Sequence, residues 1–304
     1  MRLILIFLTA AAFLTACDRG GEPAAPQPEA APPAETAPEA APEQSESERL
    51  NAWFEERFEE QLQQSPTRLT FLGRKERYDE IDDLSEAEED RQLAWLRGTV
   101  EEMERTFDYS KLTPEARISY DVWKYQYQDA ARGAKFRANQ YIFTQMMGAQ
   151  SMLPMFMINF HRVDDRSDME AYIKRVGEAA RAMNQLIDRA ESYAENGVRP
   201  PRFSYEGVLD QARKVIAGAP FGGDADSAIW ADVNTKIGAL LEGGSISDEE
   251  ASTLRESARA ALLDQLKPAY DRLIAWVESE IPLADENASG VGSLPNGEAY
   301  YEYQ

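Results

Sequence analysis

Cys17 is the only cysteine of the 304-residue chain, and the residues before it indicate its chemistry. An apolar run from Leu3 to Leu14 follows the positive charge of Arg2. This run is too short to cross a bilayer as a helix, which needs about 20 residues. A small residue, Ala16, stands directly before Cys17, as expected at a cleavage site. The pattern predicts that residues 1–16 are a signal segment and that cleavage makes Cys17 the new amino terminus.

The same pattern resembles a bacterial lipoprotein signal. In such a protein the thiol of Cys17 receives a diacylglycerol, and the new α-amine receives an acyl chain such as palmitate. Two or more chains hold a protein stably at a membrane, whereas one holds it only marginally. The alternative is an ordinary secretory signal in which the cysteine has no role. We expect a lipid-anchored protein of the cell envelope that faces the periplasm; Asp18 favours the inner membrane under enterobacterial sorting rules, and the outer membrane stays open.

His161 is the only histidine, which limits the hydrolytic chemistry that the chain can carry. A protease-type zinc site needs two histidines one helical turn apart and a third ligand, so no such site can form here. A Ser-His-acid triad would need His161 as its base, but the neighbouring Asn159-Phe160 and Arg162 show no nucleophile signature. We therefore predict a structural or surface histidine, no catalytic residue, no metal site and no cofactor in this chain.

Acidic residues outnumber basic ones by 54 to 32, which gives a net charge of −22. Nucleic acids and anionic lipid surfaces are both bound by clusters of Lys and Arg, so the composition excludes nucleic acid and leaves the lipid anchor as the membrane contact. Calcium is a weak alternative for the acidic clusters, because none has the ligand order of an EF-hand loop. The clusters are Asp79–Asp83, Asp164–Asp168 and Asp224–Asp226.

The elements that must position these residues begin after a polar linker. Residues 17–48 contain seven prolines and carry a net charge of −7, and they have almost nothing to bury, so we predict a disordered Pro/Ala/Glu tether. From Ser47 onward apolar residues recur at helical spacing, and helix-start signals recur with them. These signals are Ser85 with Glu88, Thr113 with Pro114, Ser167 with Glu170, and Ser247 with Glu250.

The fold predicted for residues 49–304 is all-α or nearly so, a bundle-like array of helices of 12 to 30 residues. One helix is expected to carry Tyr172, Val176, Met183 and Ile187 on its buried face. A long helix after Ser247 is expected to be kinked at Pro268. Residues 135–143 alternate enough to allow one short hairpin. The methionine-rich segment 146–157 is expected to be a buried connection, with a substrate groove or an interface as the alternative.

Several short stretches, taken in order, carry a family resemblance. They are Leu50–Phe54, Ser65-Pro66, Leu72-Gly73, Asp83–Ser85, Leu112–Tyr120, Pro268–Leu273 and Gly292–Tyr301, of which the last is the most specific. Their order resembles the N-terminal half of the bacterial family called "domain of unknown function 885", which includes envelope lipoproteins. Members are about twice as long, and their second half resembles zinc metallopeptidases with a His-Glu-x-x-Pro-Gly-His-like segment. The resemblance implies a mostly helical, cleft-bearing, peptidase-like protein that acts on peptides and holds zinc only in full-length members.

This chain carries none of the family's zinc ligands. Only Tyr300 and Tyr301 lie in a motif near the junction of the halves. They could line a cleft wall, but packing under the missing second half is the favoured interpretation. The final segment 296–304 resembles a helix start with three tyrosines, which favours a truncated chain over a natural short protein. The alternative is a short terminal helix that docks back on this half.

The leading hypothesis is therefore a lipid-anchored, catalytically silent N-terminal half of a metallopeptidase-like protein. The alternative from another class is a tethered scaffold or binding module that holds a peptide or a protein partner. An enzyme of unrelated mechanism is a weaker third. The oligomeric state does not follow from the sequence.

Overall fold

The computed structural model describes residues 44–304, which form one compact unit. Ala16, Cys17 and all but the last few residues of the predicted tether lie outside the described residues. The α-helices are α1 (Glu46–Gln63), α2 (Pro66–Phe71), α3 (Glu86–Thr106), α4 (Pro114–Ala134), α5 (Ala149–Phe160), α6 (Arg166–Glu195), α7 (Arg202–Val215), α8 (Ala228–Glu242), α9 (Asp248–Ala261), α10 (Lys267–Glu280) and α11 (Gly297–Tyr303). Two isolated bridges near residues 218–226 are the only β pairing within residues 44–304. The nearly all-helical prediction is confirmed. Among the described helices, none combines the length and apolar character required to span a bilayer.

Helix α6 is the centre of the larger core. Tyr172, Val176, Met183 and Ile187, the predicted stripe, are each at most 1% exposed. Helices α5, α8, α9 and α10 pack against α6, and α7 joins the same core through α5 and α10. A smaller core joins α1, α3 and α4. Its members are Leu50, Trp53, Met103, Phe107, Leu112, Ala116 and Tyr120. The small core holds α4 against α1 and α3, and the large core holds α7 in place.

The helix starts follow local capping chemistry. Ser247 and Glu250 form the predicted reciprocal capping box. Helix α6 starts at Arg166, because Asp165 and Asp168 form a capping box two residues before the predicted pair. Ser45 and Glu48 form another such box, so α1 begins at Glu46, inside the stretch predicted as tether. Short polar side chains at these positions accept hydrogen bonds from the free N–H groups of the first turn, which fixes where each helix begins.

Two prolines are accommodated by their surroundings. Where the sequence predicts a kink near Pro268, the structure has a five-residue π-helix, Leu262–Leu266, between α9 and α10. Pro154 lies inside α5 and has no N–H to bond to the carbonyl of Gln150. The buried hydroxyl of Tyr270 donates to that carbonyl oxygen over 2.6 Å instead. A tertiary contact therefore replaces the hydrogen bond that the proline removes.

The hairpin allowed for residues 135–143 is wrong. This segment forms one 3-10 turn, Arg137–Asn139, because its apolar side chains have separate distant partners. The ring of Phe136 stacks 5.5 Å from that of Tyr303, and Phe143 lies 5.9 Å from Trp276. The side chain of Asn139 donates to the carbonyl of Pro295 over 2.7 Å. These contacts dock α11 and the chain before it onto this body.

Candidate functional site

A cleft of about 470 Å³ opens at the start of α7. Three chain segments, at residues 141–146, 197–204 and 283–294, form its walls. The volume is within the range of ligand-binding sites in proteins, about 300 to 1,000 Å³. The three segments are far apart in sequence, so the cleft exists only because the core brings α6, α7 and α10 together. This cleft is the candidate functional site.

A polar network holds one rim of the cleft in place. The side chain of Gln211 on α7 donates to the carbonyl of Gln145 over 2.7 Å, and Gln150 donates to the carbonyl of Thr144 over the same distance. Gly207 allows the close approach, because a Cβ there would lie 2.5 Å from the Cβ of Gln145. The network fixes a turn that leaves Met146 82% exposed. An exposed methionine at a fixed position is suited to contact a ligand, because its thioether adapts to irregular surfaces.

Large apolar side chains are exposed around the same opening. Met146 on one wall, Phe203 on the second and Leu283 on the third are all more than half exposed and all line the cleft. Single exposed apolar residues are normal on protein surfaces, but a grouped set is typical of interaction sites. The grouping therefore favours a ligand with apolar parts.

The charged groups of the cleft are Arg199 and Asp285. Arg199 donates through Nε to Glu280 over 2.6 Å, and Glu280 is only 8% exposed, so this pair is neutral overall. Tyr141 also lines the cleft, and burial together with the negative charge of Asp285 raises the pKa of its hydroxyl. The hydroxyl of Ser204 donates to the side chain of Gln145 over 2.7 Å. The arrangement can bind polar and apolar groups.

The structure separates the two tyrosines that the sequence placed at a cleft wall. Tyr300 lies with Tyr303 in a second groove of about 360 Å³ beside Phe136. Tyr301 is 72% exposed and lines neither the groove nor the cleft. Neither tyrosine lines the cleft at α7. Of the residues that do, the sequence marks Met146, in the segment for which a substrate groove is the alternative, and Ser293 and Leu294, in the family motif.

His161 is buried with both ring nitrogens in use. It is 1% exposed; its Nδ1 accepts a hydrogen bond from Arg175 over 3.0 Å, and its Nε2 donates to the carbonyl of Asp168 over 2.9 Å. Burial lowers the pKa of His161 to about 3, and the positive charge of Arg175 adds to the shift. The imidazole therefore stays neutral near pH 7 and is not free to bind zinc. Within residues 44–304, no group of three or more His, Cys, Asp or Glu side chains is arranged to hold a metal ion, so the described residues do not fit the zinc of the family resemblance.

The methionine-rich segment is divided between core and surface. Met157 and Phe156 are buried in the larger core, as expected for a connection through the interior. Met146 and Met147 are 82% and 72% exposed, so for them the expectation of burial is wrong. The turn at Gly148, which starts α5, separates the two environments.

The fold and the cleft define an all-helical protein with an open, partly apolar cavity. The chain belongs to the family of bacterial proteins of unknown function DUF885, whose model matches residues 66–304. No curated protein matches the chain.

Among solved structures, the chain is similar to the crystal structure of a proposed lipoprotein from Colwellia psychrerythraea, with a TM-score of 0.65 and 16% sequence identity. The match covers 85% of this chain and 45% of that one, so the chain spans less than half the length of this relative. At this identity the likeness shows the fold alone.

Proposed function

We propose that this protein is a lipid-anchored envelope protein whose helical body binds peptides in the cleft at α7. In this proposal the body, residues 49–304, is the non-catalytic N-terminal part of a metallopeptidase-like protein, and zinc chemistry belongs to other residues of full-length family members. The observation that carries the proposal is the grouping of Met146, Phe203 and Leu283 around one opening. Each is an apolar side chain that a bound peptide would remove from water.

The proposed anchor is the acylated thiol of Cys17, with residues 1–16 removed and residues 17–48 as the tether. It is supported by the signal pattern and by the description of the Colwellia psychrerythraea relative as a proposed lipoprotein. A scaffold that binds a protein partner is the second candidate. It is favoured by Ile118, Val122 and Tyr125, which are 65%, 47% and 58% exposed along one face of α4.

Peptide binding is tested by calorimetry with an acetylated, amidated pentapeptide that has norleucine between two leucines and alanine at each end. We expect binding, and the double variant Met146→Ser with Phe203→Ser should weaken it about tenfold or more, because burial of each side chain is worth about 1.5–3 kcal/mol. Met147→Ser and Phe71→Ser are matched controls, since both residues are as exposed but lie outside the cleft. Equal weakening in the controls, or no binding, would contradict the proposal. So would peptide cleavage by this chain that a chelator abolishes.

The anchor is tested in cells by labelling with an alkyne analogue of palmitate. The wild-type chain should carry the label and be found with the membrane fraction, because two or more acyl chains give stable attachment. Cys17→Ser should lose both the label and the membrane attachment, whereas Thr15→Ser, which keeps the thiol, should retain both. A mature chain with a free thiol at Cys17 would overturn this part of the proposal.

A further inference from the structure

The charge balance of the cleft is incomplete. Of the two charged groups that line it, Arg199 is neutralised by Glu280 at 2.6 Å. The carboxylate of Asp285 makes no hydrogen bond and no ion pair with another residue of the described range, 44–304. The adjacent cation, Arg202, pairs with Glu286 at 3.1 Å. Asp285 therefore leaves one uncompensated negative charge at the cleft.

Two aromatic rings line the same cavity as this carboxylate. They are Tyr141 on the first wall and Phe203 on the second. The face of an aromatic ring attracts a cation through its quadrupole, and a nearby carboxylate adds a direct charge interaction. The hydroxyl of Tyr141 has no hydrogen-bond partner within the described residues, so it can also accept a hydrogen bond from a ligand. A net charge of −22 on the whole chain further favours the approach of cations.

We propose that the cleft takes a lysine or arginine side chain of a bound peptide, with Asp285 as its counter-ion and the rings of Tyr141 and Phe203 beside it. This inference rests on the proposed function, because it names the chemistry of the peptide that the cleft binds. The apolar residues at the opening, Met146 and Leu283, then contact the residues next to the basic one. The specificity is for a positive charge flanked by apolar side chains.

The main chain at Asp285 has a separate, structural role. Its carbonyl oxygen accepts a hydrogen bond from the N–H of Arg202, the first residue of α7, over 2.8 Å. Asparagine at position 285 keeps this contact and the shape of the side chain, and it removes only the charge. Asp285→Asn is therefore a suitable variant to test recognition without disturbing the start of α7.

The test compares three acetylated, amidated pentapeptides that differ only at the central residue, which is lysine, norleucine or glutamate. We expect the lysine peptide to bind about fivefold to tenfold more tightly than the norleucine peptide, and the glutamate peptide to bind least. Raising the salt concentration should lower the affinity of the lysine peptide and thereby reduce its preference over the norleucine peptide. A norleucine peptide with a free amino terminus tests whether the cleft recognises a basic side chain or a terminal amine. We expect its affinity to be close to that of the acetylated norleucine peptide.

Asp285→Asn should weaken binding of the lysine peptide and so remove its preference over the norleucine peptide. The matched control is Glu286→Gln, whose side chain is 74% exposed and lies outside the cleft, and it should change either affinity less than about twofold. Binding of all three peptides with equal affinity, or a preference for glutamate, would overturn the inference while the peptide-binding function stands. Absence of binding by every peptide would overturn both.

Discussion

Arg175→Ala is expected to lower the free energy of unfolding by about 3–5 kcal/mol, the largest effect of any single substitution that we propose. Arg175 lies on α6 and is completely buried. Its guanidinium donates to the carbonyl of Glu80 over 2.9 Å, to Nδ1 of His161 over 3.0 Å and to the hydroxyl of Thr70 over 2.9 Å. Removing it leaves these buried groups without their donor, at about 1–3 kcal/mol each, and leaves a cavity in addition.

The interaction is unusual because no carboxylate of residues 44–304 pairs with this buried cation. The charge is balanced by carbonyl oxygens and by the rings of Tyr78 and Phe156, whose centres lie 4.9 and 5.2 Å from the guanidinium carbon. Burial lowers the pKa of Arg175 to about 10, which still keeps it charged at neutral pH. The stability of this part of the fold therefore depends on directed hydrogen bonds more than on an ion pair.

Urea unfolding followed by circular dichroism measures the effect. Arg166→Ala is the control on the same helix, since Arg166 is half exposed and its ion pairs should contribute less than about 1 kcal/mol. Arg175→Met fills most of the volume of the arginine side chain but cannot make its hydrogen bonds. If both variants lower the free energy of unfolding by a similar amount, the loss comes from the hydrogen bonds and not from the cavity. A loss below about 1 kcal/mol in Arg175→Ala would show that the network does not stabilise the fold.

The second large effect is a loss of stability on mild acidification that depends on His161. Its pKa is about 3 in the folded state and near 6.5 when unfolded. Between these values the unfolded chain binds the extra proton, so the free energy of unfolding rises with pH across this window and falls as the pH is lowered. From pH 7 to pH 5 the expected loss from this group is about 2 kcal/mol.

The comparison that isolates this effect is His161→Gln, which stays neutral at every pH. Wild type should lose about 2 kcal/mol more than the variant between pH 7 and pH 5. Because the chain has no other histidine, no second imidazole titrates in this range. Carboxylates with lowered pKa values, such as Glu59 and Asp83, lose their contribution at lower pH and affect both proteins alike. Parallel pH profiles for the two proteins would contradict the assignment.

The features that sequence predicted correctly are local ones. The buried stripe of α6 follows from helical spacing, and the start of α9 follows from Ser247 and Glu250. Two failures were local, because the capping residues Ser45 and Asp165 were not identified as helix starts. The larger failure depended on distant partners. Residues 135–143 avoid a hairpin because Phe136 and Phe143 pack against Tyr303 and Trp276, far along the chain. Periodicity contains no information about such contacts.

The cleft could not be predicted for the same reason. Phe203 and Leu283 show no local signal, because an exposed apolar residue becomes informative only beside others. Met146 lies in a methionine-rich segment for which the sequence favours the core, but its exposure depends on the glutamines that hold its turn. Cys17 lies outside the described residues, so the anchor remains a proposal that rests on sequence pattern and on the description of a relative.

The hydrogen bonds of Arg175 also determine the order in which the chain can acquire its structure. Thr70 and Glu80 precede their partner by 105 and 95 positions. During synthesis the segment around α2 is made long before α6, so its acceptors stay in water until about a hundred more residues have followed. Closing so long a loop costs entropy before the contacts form, which makes this step slow compared with helix formation. We therefore expect α2 to dock only after α6 has formed, late in folding.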